Sequence, residues 1–123
     1  DWANHAQNMV YQIGETGAFD RSVGVVLDWI AADKQRKEET LLIVVPDNDT
    51  GGFAINGPYG STITEKGHFI EDAWTSGGHT ATDVVFWCQG PYSEYLAKPI
   101  DNTEMFDIMM AAIKGDRYTP RQY

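Results

Sequence analysis

The apolar run TLLIVV, residues 40–45, constrains the fold more than any other stretch of the sequence. It is rich in leucine and β-branched residues and does not alternate with polar positions. Such a run is typical of a strand that is covered on both faces. A second run, ATDVVFWC at residues 81–88, predicts another strand. Helical patterns before the first run and after the second favour the α/β class.

Three stretches have the pattern of amphipathic helices. The first begins at Asp1, which can cap it, and is expected to end near Gly14. The second covers residues 17–35, and the third runs from a cap at Asp101 to a stop at Gly115. The second helix has one apolar stripe at i, i+4, i+7, i+8 and i+11, formed by Phe19, Val23, Val26, Leu27 and Ile30.

Residues 46–80 are rich in glycine, threonine, serine and asparagine and predict a long loop region with a hairpin around NGPYG. Loops of this length in compact domains are usually functional or disordered, and the aromatic residues in this one argue against simple disorder. No linker divides the chain, so we expect a single segment over residues 1–123 with a mobile tail at 115–123.

Composition and charge exclude several classes of function. A chain of 123 residues with a net charge of −9 lacks the basic surface that nucleic-acid binding requires. The same charge fits cationic or metal partners. No apolar run approaches the ~20 residues of a membrane-spanning helix. The lone cysteine, Cys88, lies in an apolar run and is expected to be a buried, inert thiol.

A few residues could bind a metal. Asp1 and His5 are four positions apart, which puts both on one face of a helix. That pair alone is more often a surface hydrogen bond. His79 lies between a glycine pair and a predicted strand, where a metal ligand and a loop histidine without a role are about equally expected. His68 has no such setting and is expected to be a surface residue.

The stretch VVPDNDTGG, residues 44–52, has two interpretations. Its residue types are those of an ordinary turn. Asp47, however, directly follows a predicted buried strand, and binding sites collect at the carboxyl ends of strands in α/β sheets. If Asp47 and His79 share a site, the simplest geometry has strand 81–88 antiparallel to strand 40–45.

These motifs together resemble the alkaline phosphatase family. DWANH is similar to the family's zinc-binding helix, and QIGET follows it in the same order. TLLIVVPDNDTGG aligns with a strand ending in T-A-D-H-E-T-G-G, and GGHTATDV aligns with a G-G-H-T segment. GPYSEYL and DNTEMFDIMMAAI match the closing elements. The resemblance covers residues 1 to about 114 and implies part of a three-layer α/β/α sandwich.

The resemblance also implies a set of metal ligands. Asp1, His5 and His79 match the complete ligand set of the first zinc, and Asp47 matches a ligand of the second. Asn48 stands where the family has a histidine. Because an amide oxygen is a poor substitute for imidazole on zinc, this residue weakens the expectation of a second zinc site.

The family's serine nucleophile, phosphate-binding arginine and most magnesium ligands lie upstream of the zinc-helix motif. We therefore expect the chain to be the C-terminal part of such a protein, with no catalytic residue of its own and no magnesium ligands. None of Ser22, Ser61, Ser76 and Ser93 lies in a nucleophile motif.

Two functions remain open at this point. The resemblance implies hydrolysis of phosphate monoesters through a phosphoserine, in the periplasm or outside the cell, once an N-terminal segment or another chain completes the site. The alternative is a non-catalytic metal-binding or assembly module derived from the same fold. Exposed apolar surface in either case would favour a homo-oligomer.

Overall fold

The computed structural model describes residues 1–57, 60 and 71–121, and it describes the side chains of all of these except 71 and 72. The helices of this part of the chain are α1 (Trp2–His5), α2 (Met9–Ala31), α3 (Lys34–Glu39), a 3-10 helix (Ser93–Leu96) and α4 (Asn102–Lys114). The strands are β1 (Leu42–Val44), β2 (Asp49–Thr50), β3 (Ala54–Asn56), β4 (Glu71–Ala73), β5 (His79–Thr80) and β6 (Trp87–Gln89). The mixed α/β prediction is confirmed.

The strands form three antiparallel pairs, β1 with β6, β2 with β5 and β3 with β4. The chain separates into two compact units, which are described in turn. Unit 1 comprises Asp1–Ser22 and Pro46–Val85, and unit 2 comprises Val23–Val45 and Phe86–Tyr123. The expectation of a single segment over residues 1–123 stays a prediction. No helix among the described residues is both long enough and apolar enough to cross a membrane.

The first predicted helix is broken near its start. Asp1 occupies the N-cap position of α1, as expected, but the helix ends after one turn at His5. Gln7 then adopts a left-handed backbone with φ of 48°. Asn8 restarts the chain as a helix because its Oδ1 accepts a hydrogen bond from the backbone N–H of Tyr11 at 3.0 Å.

The prediction that this helix ends at Gly14 is wrong, because α2 continues through that residue to Ala31. A glycine within a helix costs only about 1 kcal/mol relative to alanine, and the surrounding residues sustain the helix. The helix instead stops before Asp33, whose side chain accepts from the N–H of Arg36 at 3.0 Å and caps α3. The stretch 17–35, which was predicted as one helix, is therefore divided between α2 and α3 by the cap at Asp33.

In unit 2, β1 and β6 pair with Ile43 opposite Cys88. This confirms the antiparallel arrangement, although the second strand forms only over Trp87–Gln89 and the residues from 81 to 86 are not in a strand. The side chains of Ile43 and Cys88 pack against the unit's buried core. That core consists of Leu96, Ile108, Ala111 and Tyr118.

The opposite face of this strand pair is only partly covered, and it lines a pocket together with Val23 and Leu27 of α2. Leu42 and Val44 are only half-buried, and Trp87 is 65% exposed. Among the described residues the expected coverage of the first strand on both faces is therefore partial, because the core of unit 2 packs against one face and Val23 and Leu27 only line a pocket on the other. The apolar stripe of α2 is also covered only in part, because Ile30 is buried whereas Phe19 is 59% exposed.

The last helix forms as expected. Asp101 caps it by accepting from the N–H of Thr103 at 2.9 Å, and Gly115 ends it with φ of 70°. Beyond it, Tyr118 is buried and Arg121 pairs with Asp107 at 2.6 Å. These contacts tie the segment after α4 to that helix, and the mobile tail at 115–123 stays a prediction. Residues 122 and 123 lie outside the described residues.

In unit 1, a tight turn follows β2. Gly51 and Gly52 both have left-handed backbones, with φ of 85° and 55°. The N–H of Gly51 donates to the carbonyl of Gly78 at 2.8 Å, and its own carbonyl accepts from the N–H of Thr75 at 2.9 Å. This turn places β2 beside β5. Residues 58 and 59 of the predicted hairpin around NGPYG, together with Ser61 and His68, lie outside the described residues.

Candidate metal site

Unit 1 brings together three of the predicted ligands. Asp1 and His5 lie one turn apart at the two ends of α1, and His79 lies on β5. Each of the three offers one ligand atom, and these atoms lie within 4.8 Å of one another. All three residues are exposed. A carboxylate and two imidazoles are a common set of zinc ligands.

Side-chain contacts hold α1 against the loop that leads into β5. The Nδ1 atom of His5 lies 2.8 Å from the carbonyl oxygen of Gly77. The Nε2 group of Gln7 donates to the carbonyl of Ser76 at 3.3 Å, and the indole N–H of Trp74 donates to Oδ1 of Asn4 at 3.2 Å. Several hydrogen bonds between α1 and this loop thus set the position of His5 relative to His79.

The contact with Gly77 determines which ring nitrogen of His5 carries the proton and which one can bind a metal. A carbonyl oxygen only accepts hydrogen bonds, so Nδ1 carries the proton and donates. In the neutral ring Nε2 then has a free lone pair, and it lies 3.3 Å from Oδ1 of Asp1. Two zinc ligands at a tetrahedral angle are about 3.3 to 3.4 Å apart, given metal–ligand bonds of about 2.0 to 2.1 Å. The pair therefore fits a shared metal ion.

The contacts of His79 favour the same tautomer as those of His5. Its Nδ1 atom lies 3.0 Å from Oγ1 of Thr50 and 3.3 Å from the carbonyl oxygen of Asp49. Both oxygens can accept from an N–H, which favours a proton on Nδ1 and a free lone pair on Nε2. Bonds of this kind to the distal ring nitrogen typically orient a histidine that binds a metal.

Thr50 is a residue that the sequence reasoning missed. It is buried, at 6% exposed, and lies directly opposite His79 in the β2–β5 pair. Its hydroxyl is 2.9 Å from Oδ1 of Asp1 and 3.2 Å from Oδ1 of Asn48. The signal that could have identified it is register: once the segment 49–50 is paired with the segment 79–80, Thr50 falls beside the predicted ligand.

Asp47 does not join the cluster of Asp1, His5 and His79 among the described residues. It is exposed, while the side chain of Asn48 is directed toward Thr50. The next carboxylate, Asp49, accepts from the N–H of Gly52 at 3.0 Å and from Oγ1 of Thr80 at 2.5 Å. Residues 45–48 thus connect β1 to β2 and Gly51 and Gly52 form the turn after β2, while Thr50 supplies a buried hydroxyl to the candidate metal site.

The fold is mixed α/β, and its site is a cluster of candidate metal ligands. Comparison with known proteins makes the class more specific. No protein-family model matches the chain. Over 41 residues, or 33% of the chain, it is 46% identical to alkaline phosphatase 3 of Bacillus subtilis (strain 168), and the match spans 9% of that protein.

Solved structures extend the similarity to almost the whole chain. The alkaline phosphatase of the Antarctic bacterium TAB5 superposes with a TM-score of 0.75 and 30% identity, over 95% of this chain and 33% of that one. A histidine-to-aspartate variant of the TAB5 enzyme, with magnesium bound in its M3 site, gives a TM-score of 0.72 and 32% identity over 93% of this chain. The chain spans about one third of the length of these structures. It is related to the alkaline phosphatases and has an alkaline-phosphatase-like fold.

Proposed function

We propose that this chain binds one zinc ion through Asp1, His5 and His79 and forms part of a phosphomonoesterase of the alkaline phosphatase type. The observation that carries the proposal is the convergence of these three side chains. The contacts at Nδ1 of both imidazoles support it, because they favour a free lone pair on Nε2. The relationship to alkaline phosphatases supports the same assignment.

The residues of the chain have separate tasks in this proposal. Three protein ligands leave a fourth position open on the metal, as in catalytic zinc sites. When bound, zinc supplies a Lewis acid for an oxygen of a phosphate ester. The carbonyl of Gly77 and the hydroxyl of Thr50 hold the two histidine rings in the orientation that binds it.

The nucleophile is proposed to come from elsewhere. Among the described serines, Ser22 donates its hydroxyl to the carbonyl of Ala18 within a helix, and Ser93 donates to the carbonyl of Gly90. The hydroxyl of Ser76 accepts from the N–H of Gly78. A phosphoserine mechanism thus requires a serine, a phosphate-binding arginine and magnesium ligands from an N-terminal segment or from another chain.

A second candidate function is a non-catalytic metal-binding or assembly module. The residue that favours it is Asn48, which the resemblance aligns with a zinc-binding histidine and whose side chain contacts Thr50. In this alternative the first site binds zinc without a working second site. Localisation in the periplasm or outside the cell, and assembly into a homo-oligomer, are proposed for either function.

Zinc content tests the metal site. The chain, dialysed with zinc and then against metal-free buffer, should retain about one zinc per chain, as three-ligand sites of this kind do. His79→Ala should lose it. His68→Ala is the matched control, since it removes a histidine that the proposal leaves out. Equal zinc content in the wild type and in His79→Ala would exclude this ligand set.

Hydrolysis of a chromogenic phosphate monoester at alkaline pH, with zinc and magnesium added, separates the two functions. The isolated chain should show no more than the background rate of the metal ions, because the covalent route needs a serine. Addition of the upstream part of the protein should then produce turnover that His79→Ala abolishes. If the completed protein binds zinc and remains inactive, the non-catalytic module is the better description.

A further inference from the structure

We infer that the hydroxyl of Thr50 is a positioning group for the metal site, which holds the carboxylate of Asp1 and the ring of His79 in place before a metal arrives. The inference rests on the proposed zinc site. It adds a residue and a hydrogen-bond arrangement that the ligand set alone does not contain. It also makes Asn48 a hydrogen-bond donor to Thr50 in the first site.

The backbone places this hydroxyl rigidly. Thr50 is buried and belongs to β2, which pairs with β5 so that Thr50 faces His79 across the strands. Threonine is β-branched, so its side chain has few rotamers in a strand. The turn at Gly51 follows immediately and is tied to the carbonyl of Gly78. The hydroxyl therefore has a nearly fixed position relative to His79.

Proton counting determines the direction of each bond. A hydroxyl has one proton to donate and two lone pairs that accept. Its neighbours at bonding distance are Oδ1 of Asp1 at 2.9 Å, Nδ1 of His79 at 3.0 Å and Oδ1 of Asn48 at 3.2 Å. Asp1 is the charged acceptor, and hydrogen bonds to ionised acceptors are the stronger ones. Thr50 therefore donates to Asp1 and accepts from the Nδ1–H of His79.

One lone pair of the hydroxyl remains, and it assigns the orientation of Asn48. With its proton directed to Asp1, Thr50 has none for the carbonyl oxygen of Asn48. Rotation of the amide by half a turn presents its NH2 group instead, and the same contact then becomes a donor–acceptor pair. All hydrogen-bonding capacity of the Thr50 hydroxyl is satisfied by this arrangement. Asn48 thus acts as a donor to the first site.

Zinc affinity of three Thr50 variants tests the role. Competition with a chromogenic zinc chelator should show Thr50→Val binding zinc about 10–100-fold more weakly than the wild type, the range for loss of an outer-shell partner. Thr50→Ser keeps the hydroxyl and should bind within a few-fold of the wild type. Thr80→Val is the matched control, since it removes a hydroxyl from the same strand pair that bonds Asp49 and none of the ligands.

Two outcomes of this titration would overturn the inference. If Thr50→Val and Thr50→Ser lose equal affinity, the hydroxyl is not the group that matters. If Thr80→Val loses as much affinity as Thr50→Val, the effect reflects local folding of the strand pair. Absorption of the cobalt-substituted protein adds a geometric check, because Thr50→Val should change the ligand-field bands and Thr80→Val should leave them as in the wild type.

A measurement on the metal-free chain separates this inference from the proposed function. Nitrogen chemical shifts of His79, recorded with neutral rings, should show the proton mainly on Nδ1 in the wild type and in Thr50→Ser. In Thr50→Val the population with the proton on Nε2 should increase, since an acceptor for Nδ1–H is lost. An unchanged ring in Thr50→Val would overturn the positioning role. A chain with the expected shifts that binds no zinc would overturn the metal proposal alone.

Discussion

Nε2 of His5 lies 3.3 Å from Oδ1 of Asp1, and both atoms are acceptors when the ring is neutral and its proton is on Nδ1. Two acceptors at this distance repel each other unless a proton on Nε2 or a cation near both atoms joins them. The arrangement is maintained by the backbone of α1 on one side and by the carbonyl of Gly77 on the other. A proton on Nε2, or the divalent ion proposed for this site, would remove the repulsion between the two atoms.

The first prediction concerns His5 itself. His5→Gln keeps a side chain of similar length but replaces imidazole by an amide, which zinc binds poorly. We expect zinc affinity to fall by at least the ~10–100-fold that loss of an outer-shell partner causes, because a direct ligand is removed. Chelator competition measures it. His68→Gln provides the control, and equal zinc affinity of His5→Gln and wild type would remove His5 from the site.

The second prediction concerns the turn after β2. A side chain at Gly51 would bring its Cβ to 2.5 Å from Cδ1 of Trp74, on a backbone with φ of 85°. We expect Gly51→Ala to lower the free energy of unfolding by about 2 kcal/mol or more, from left-handed strain and overpacking together. Gly51→Ala should also weaken zinc binding, because the same turn sets the position of Thr50.

Gly78→Ala is the matched control for that experiment. An added Cβ at Gly78 meets only Oγ of Ser76, at 3.7 Å, which is ordinary contact. Urea unfolding of both variants, followed by zinc titration, makes the comparison. If Gly51→Ala is as stable as Gly78→Ala, the backbone at residue 51 does not require glycine.

The third prediction tests the contact between the final segment and α4. The hydroxyl of Tyr118 donates to Oε1 of Glu104 at 2.7 Å, and both residues are 5% exposed. Tyr118→Phe removes that donor from a buried carboxyl group, which should lower the free energy of unfolding by about 1–3 kcal/mol.

Glu104→Gln retains an acceptor for Tyr118 and should cost less than Tyr118→Phe. A double-mutant cycle by chemical denaturation gives the coupling between the two residues. Additive effects in that cycle would show that the hydrogen bond contributes nothing to stability.

The sequence predicted a strand in each of the two apolar runs and the full length of α4, because both depend on local signals. The run at residues 40–45 has the composition of a strand, and the cap at Asp101 and the stop at Gly115 are short-range features. The antiparallel pairing of the two runs was expected only if Asp47 and His79 shared a site. Assigning Asp1, His5 and His79 to one site required the resemblance to the alkaline phosphatases, which rests on the order and spacing of several motifs. Each of those motifs is a weak signal on its own.

Two features could not be predicted from the sequence. Gly14 signals a helix end in isolation, yet α2 continues through it, because neighbouring residues along the helix offset the small cost of a glycine. The role of Thr50 depends on the β2–β5 register, which brings it beside His79, 29 positions along the chain. Two-residue strands have no periodic signal, so that register becomes visible only in the structure.

The last prediction concerns acid stability and depends on Asp101. Hydrogen bonds from the side chain and the backbone N–H of Thr103, together with the charge of Arg121, lower the pKa of Asp101 below its ordinary value of 3.8. A carboxyl group with a lower pKa in the folded state stabilises the fold when it is ionised. Its contribution is fully present above pH 3.8 and is lost as the pH falls through the lower pKa of the folded state.

Asp101→Asn isolates this contribution, because asparagine is also a good N-cap but does not titrate. We expect the difference in unfolding free energy between wild type and Asp101→Asn to be constant above pH 3.8 and to shift against the wild type at lower pH. Thr103→Val removes the largest cause of the lowered pKa, so its acid dependence should lie between the two. Chemical denaturation at a series of pH values measures all three proteins. A difference between wild type and Asp101→Asn that stays constant down to the most acidic pH would show that Asp101 titrates alike in the folded and unfolded chains.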